Sequence, residues 1–288
     1  MSRLFEALRQ SELDNAPSPS EGTQALPTQL STELLDRIER EGLGLEQVRS
    51  VPVHIPAANG VVAITDEYGA AAEKFRLLAI RLRNLQEQKN LKIVLVTSSV
   101  AQEGKSLISA NLAVTLATRE KQKVLLVEGD LRQPRLAELL SIQRLPGLSE
   151  WSEQNRPMTD YLCRLEGLSV WLLQAGHAGH KPLETLHSPR LHQALKQMAG
   201  SFDSILIDSP PIVQLTDANV WEEIAEGTLL VVREGTTPKK MLQKAVDSLS
   251  KKKLLGVVFN GVSVSDHTYY NYSPPREGAR KTPHPKEK

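Results

Sequence analysis

The chain has 288 residues, 40% of them hydrophobic, and 35 Lys and Arg against 34 Asp and Glu give a net charge of +1. That balance leaves no global field to draw nucleic acid or an anionic membrane. A single cysteine excludes an intrachain disulfide framework and a multi-thiolate metal site. No apolar run reaches the length of a membrane span or the core of a secretory signal, so the expectation is a cytoplasmic protein with one globular core and polar ends.

Residues 2–10 place Leu4, Phe5 and Leu8 on one helical face. Residues 11–30 are rich in Pro, Ser and polar side chains and read as a linker. A second short helix is expected over 31–42, with Leu34, Leu35 and Ile38 as its stripe. With the Pro-interrupted stretch 51–60, these segments make an N-terminal extension over 1–60. The first long helix is expected over 66–85, where Phe75, Leu78, Leu82 and Leu85 recur at helical steps and Glu73, Arg76, Arg81 and Arg83 occupy the opposite side.

From Leu91 onward, short β-rich apolar runs such as VLLVE, SILID and TLLVV alternate with helical stretches. Alternation of this kind predicts βαβ units: an α/β, doubly wound, mostly parallel sheet covered by helices on both faces, over 61–262. The pattern stops after Val262, leaving a polar tail over 263–288.

Within that pattern, IVLVTSSVAQEGKSL at 93–107 is a buried strand, a tight loop and a helix start in succession. Such a loop directs backbone N–H groups at an anion, and a Lys and a hydroxyl after the glycine serve the terminal phosphates and a Mg²⁺ ion. Ser99 stands where the strict pattern has its first glycine. Two further strands end in acids, VLLVEGDLR at 124–132 and SILIDSPP at 204–211. Ligands of doubly wound sheets bind at the carboxyl ends of strands, so all three ends are expected to meet in one crevice. His177 and His180 lack further ligands at metal-site spacing. Trp151, Trp171 and Trp221 read as packing residues.

SSVAQEGKS (98–106), VLLVEGDLRQP (124–134) and FDSILIDSPP (202–211) together resemble the Walker A, A′ and B motifs of the bacterial tyrosine kinases of capsule and exopolysaccharide systems. KPLETLHS (181–188), TDA (216–218), VVREGTT (231–237) and GVVFN (256–260) extend the resemblance over about 67–262. It implies a P-loop NTPase fold and an ATP- and Mg²⁺-dependent protein-tyrosine autokinase regulating exopolysaccharide or capsule synthesis and export. Carried over by position, Lys105 binds the β- and γ-phosphates, and Ser106, Asp130 and Asp208 hold the metal. Ser99, Gln102, Glu103, Gly104 and Leu107 complete the nucleotide loop, and Asn260 lies at the base. Glu128 falls where the family has the Asp proposed to take the tyrosine's proton. Arg132 belongs either to the nucleotide site or to an ion pair with a neighbouring carboxylate.

The family's C-terminal tyrosine cluster, its autophosphorylation substrate, corresponds to Tyr269, Tyr270 and Tyr272. The implied partners are a membrane adaptor of the polysaccharide co-polymerase kind, which would hold the chain at the inner face of the plasma membrane, protein tyrosine substrates, and further copies forming a ring through helix 66–85. Nucleic acid is not expected. Three departures qualify the match. Gln102 replaces the loop glycine of P-G-E-G-K and carries strain if that position needs positive φ. Glu128 replaces an Asp, and Ala79 replaces the second Arg of E-x-x-R-x-x-R. They leave open an alternative, a weakly active or inactive ATP-binding regulatory subunit of the polysaccharide machinery. The related partition and septum-site ATPases carry a signature Lys early in the loop, where this chain has Val100.

Overall fold

A computed structural model describes residues 44–177 and 182–262. The expected N-terminal helices and linker, His180, and the tail with Tyr269, Tyr270 and Tyr272 lie outside the described residues.

The strands are β1 (Ser50–Val51), β2 (Ile93–Ser98), β3 (Val124–Glu128), β4 (Leu162–Leu165), β5 (Val170–Leu173), β6 (Ser204–Asp208), β7 (Gly227–Arg233) and β8 (Leu254–Asn260). They form one sheet in the order β1-β4-β5-β3-β6-β2-β7-β8. All pairs are parallel except β4 with β5. Strands covered on both faces read as continuous apolar runs, and every residue of β2, β3 and β6 is buried. The expected doubly wound sheet is therefore present. The antiparallel β4 escapes a pattern reading because four residues after a 3-10 turn show too little alternation.

The helices are α1 (Val62–Thr65), α2 (Ala70–Lys89), α3 (Lys105–Arg119), α4 (Leu136–Leu139), α5 (Leu148–Glu153), α6 (Pro182–Leu186), α7 (Pro189–Met198), α8 (Asp217–Ile224) and α9 (Lys239–Ser248). α3 is the central helix. Ala110, Leu112, Ala113 and Leu116 join Val94, Leu126 and Leu206 in the main core, with Ala79 and Leu82 of α2 over them.

α2 corrects the expected helix over 66–85 at both ends. Gly69 breaks the chain into a turn, its N–H donating to Asp66 O at 3.0 Å, and a side chain there would collide with the Asp66 carboxylate. At the far end Asn90 adopts φ 52 and closes the helix. The stripe is also smaller than expected: Ala72, Ala79, Leu82 and Gln86 are the buried positions, while Leu77 and Ile80 are exposed. Ala79 thus lies on the face turned to the core, where an arginine would bury a charge.

Candidate active site

The strand order sets β3, β6 and β2 side by side, so their carboxyl ends open together on a cavity of about 550 Å³. Gln102, Gly104, Lys105, Ser106, Leu107, Asp130 and Arg132 line it, together with Arg135, Glu138 and Pro211. Lys105 opens α3 directly after Gly104, which sits at φ 92. The first-turn amides of that helix have no intrahelical acceptor, and with the helix dipole they favour an anion there.

The loop between β2 and α3 is held from the C-terminal part of the chain. Glu103 is buried; its Oε2 accepts from Val100 N at 3.0 Å and its Oε1 from the Thr237 hydroxyl. Arg233 Nη1 donates to Gln102 O at 3.2 Å, and Asn260 Nδ2 donates to Glu103 O at 3.0 Å. A side chain at Gly104 would meet that amide at 2.1 Å. Gln102 has φ 64, the left-handed region that costs a side-chain-bearing residue about 1–2 kcal/mol. The strain expected of Gln102 is present, and the contacts from Arg233, Thr237 and Asn260 hold the loop that carries it. Asn260 is placed against the loop backbone and does not line the cavity; Ser99, the first residue of the loop, is buried with no partner for its hydroxyl.

Asp208 lies at the end of β6, its Oδ1 3.5 Å from Ser109 Oγ. Burial pushes its carboxyl up to about 7, opposed by a hydrogen bond from Ser106 and the charge of Lys105. Asp130 lines the cavity and accepts from Gln133 N at 3.0 Å. Two carboxylates and the Ser106 hydroxyl are hard oxygen donors of the kind Mg²⁺ takes, and a cation beside Asp208 would offset the burial that now opposes its ionisation.

A group whose folded pKa lies above its unfolded value stabilises the fold fully below the unfolded pKa and loses that contribution as pH rises through the folded one. Without metal, ionisation of Asp208 therefore weakens the wild type across neutrality, whereas Asp208→Asn is immune. The expected result is that Tm of the variant minus Tm of the wild type grows from about pH 5 to about pH 8. A pH-independent difference in scanning fluorimetry would contradict the environment assigned to Asp208.

Glu128 is brought to the same strand ends, opposite Asp208 in register, yet it does not line the cavity. It is 2% exposed. Its Oε1 accepts from Leu136 N at 2.6 Å and its Oε2 from Ala175 N at 3.0 Å. Burial raises its pKa, against these backbone hydrogen bonds. The carboxylate therefore ties β3 to the first amide of α4 and to the end of β5, and both oxygens are occupied by amides.

The ion pair expected as one of the two readings of Arg132 is present. Arg132 lines the cavity, and its Nε and Nη2 donate to Asp217 Oδ2 and Oδ1 at 2.8 and 3.2 Å. Trp221, one turn further along α8, donates its indole N–H to Gly129 O at 2.9 Å. A tryptophan expected only to pack thus makes a polar contact, and Asp217, unassigned from the sequence, holds Arg132. The signal available was TDA at 216–218, which places an acid at a helix start.

The family described as ParA, NUBPL iron-transfer P-loop NTPase, matches residues 89–268. Tyrosine-protein kinase YwqD of Bacillus subtilis is 30% identical over 214 residues, 74% of this chain and 90% of that protein. The chain belongs to the ParA-type P-loop NTPases, among the bacterial tyrosine kinases. The putative tyrosine-protein kinase CapB of Staphylococcus aureus is 31% identical over 70% of this chain and 89% of its own length. Among solved structures, the BceF tyrosine kinase domain is 26% identical with a TM-score of 0.64, covering 88% of this chain and 97% of that one. The kinase domain of Escherichia coli ETK shares the fold at a TM-score of 0.68 and 23% identity, covering 88% of this chain and 100% of that one. The iron-transfer part of the family description finds no counterpart here: the chain's one cysteine, Cys163, is buried, and clusters are held by several thiolates.

Proposed function

We propose that this member of the bacterial tyrosine kinase family is an ATP- and Mg²⁺-dependent protein-tyrosine autokinase of exopolysaccharide or capsule biosynthesis. The observation that carries the reading is the meeting of three adjacent strand ends at one cavity, which Lys105, Ser106 and Asp130 line and behind which Asp208 is buried within reach of the Ser106 hydroxyl and the Lys105 charge. Ser106, Asp130 and Asp208 would hold Mg²⁺, which would neutralise charge on the phosphates. Lys105 and the amides that open α3 bind the β- and γ-phosphates. The tyrosine oxygen forms its bond to the γ-phosphorus as the bond to the β,γ-bridging oxygen breaks. ADP leaves, and the tyrosine proton passes to the oxygen of Asp130 that does not face the metal; Asp130 and Glu138 are the acids that line the cavity. Such a transfer needs mainly positioning and charge stabilisation.

Tyr269, Tyr270 and Tyr272 are the proposed acceptors. They follow β8, whose last residue, Asn260, touches the phosphate loop. Among the described residues no helix is long and apolar enough to cross a membrane. The succinoglycan biosynthesis transport protein ExoP of Rhizobium meliloti is 28% identical to this chain over only 26% of its own length. We assign the membrane part of the machinery to a co-polymerase partner, with the chain peripheral at the inner face, and retain a ring of copies through α2.

Gln102 in a left-handed conformation and Glu128 locked by two amides favour one second reading, a nucleotide-binding regulatory subunit with little transfer activity. Mass spectrometry after incubation with Mg-ATP, with and without the adaptor's cytoplasmic segment, separates the two. Phosphate on Tyr269, Tyr270 or Tyr272 is the expected result. Nucleotide binding with no phosphotyrosine under either condition would replace the kinase reading with the regulatory one.

A further inference from the structure

Asp217 opens α8 and is 1% exposed. A carboxylate buried to that degree requires charge compensation and hydrogen bonds. Both come from the two-pronged contact of Arg132, 85 residues earlier in the chain. Arg132 itself is not core material: 41% of its side chain is exposed, and it lines the cavity. It sits in an irregular stretch between β3 and α4, where a long side chain would otherwise sample many rotamers. A two-point grip on a planar guanidinium fixes its orientation as well as its position.

The same helix holds the neighbouring backbone. Trp221 lies four residues after Asp217, hence on the same face, and its indole N–H bonds Gly129 O. Gly129 N–H in turn donates to Asp208 O at 2.7 Å. A side chain at Gly129 would come within 2.7 Å of the indole nitrogen. α8 therefore grips the segment carrying Asp130 and Arg132 at two points.

We propose that Asp217 is a positioning residue for phosphoryl transfer, holding the Arg132 guanidinium at the cavity edge where charge develops on the transferred group. The inference rests on the kinase reading above. Donors held in place before reaction are worth most where charge appears in the transition state, and an arginine so placed is a recurrent part of phosphoryl-transfer sites. An ion pair that merely anchored α8 would affect stability and nucleotide binding together and would not single out that state.

The test compares wild type, Asp217→Asn, Arg132→Lys and the double variant in the full chain. Asn keeps the shape of Asp217 without its charge, and Lys keeps the charge of Arg132 without the fork. Each single variant is expected to lower kcat at least about tenfold with KM for ATP within about threefold, and the double variant to be no worse than the poorer single. A second readout needs no turnover: titration with Mg-ADP, with and without aluminium fluoride. The variants should bind Mg-ADP like wild type and lose the tightening that aluminium fluoride brings.

Wild-type kcat in Asp217→Asn, losses that multiply in the double variant, or Mg-ADP affinity falling in step with Tm would each overturn the proposal. A wild type whose aluminium fluoride response depends on Asp217, yet which phosphorylates no tyrosine, would sink the kinase reading and leave Asp217 in its role. Absence of any nucleotide binding would overturn both.

Discussion

Lys105→Ala is expected to cut tyrosine phosphorylation by roughly a hundredfold or more, the scale seen when one preorganised charge-stabilising group is removed from a transfer site. Lys105 is the lysine of the cavity wall. It occupies the first position of α3, largely buried, with its charge felt at Asp208. It therefore stands at the helix N-terminus beside the acidic strand ends, where the terminal phosphates would be held. Alanine leaves the loop, its clamp by Glu103, Thr237 and Asn260, and the α3 backbone in place. The expected signature is loss of phosphotransfer and weakened Mg-ATP binding with Tm close to wild type. Quantitative phosphotyrosine mass spectrometry over a time course gives the rate, and activity within about threefold of wild type would remove the phosphate-loop interpretation of this segment.

The second large effect concerns stability. Glu128→Ala is expected to destabilise the protein by about 3 kcal/mol or more, because it strands two buried amide donors, each costing about 1–3 kcal/mol when unmet. For a domain of this size that is a fall in Tm of roughly 6–12 °C. The amides are those of Leu136 and Ala175, so the loss would loosen α4 and the end of β5 together. Glu128→Gln retains one acceptor oxygen and turns an NH₂ group toward the other amide, so its fall in Tm should be intermediate. A catalytic base predicts the opposite pattern: Glu128→Gln would abolish transfer at an unchanged Tm. Thermal melts and phosphorylation rates of the same two variants decide between these outcomes.

The departure at Glu128 acquires a physical meaning from this geometry. An Asp is one methylene shorter, and here the carboxylate spans from the end of β3 to amides on two other elements. A longer side chain suits that reach. The departure at Gln102 differs in kind: the backbone keeps the left-handed conformation a glycine would take freely, and the arginine, threonine and asparagine from β7, its following loop and β8 hold it there.

The sequence alone was sufficient for the layered fold, for the phosphate loop and for the meeting of three strand ends. Those features follow from the periodicity of apolar runs, from Gly104-Lys105-Ser106 opening a helix, and from the rule that parallel strands present their carboxyl ends on one side. Other features were decided only in three dimensions. The start of α2 at Ala70 depends on a turn through Asp66 and Gly69 that no periodicity announces. The directions of Glu128 and Asn260, one toward α4 and β5 and the other onto Glu103 O, depend on which amides the fold leaves unpaired nearby. Arg132 finds Asp217, and Gly129 finds Trp221, across 85 and 92 residues. Local sequence specifies the backbone element a side chain stands on, because propensity and periodicity act over a few residues. Its partner is chosen by packing between elements remote in sequence, and in this protein that choice leaves Asp130 lining the cavity, Asp208 buried beside Ser106 and Lys105, and Glu128 and Asp217 bracing the surrounding segments.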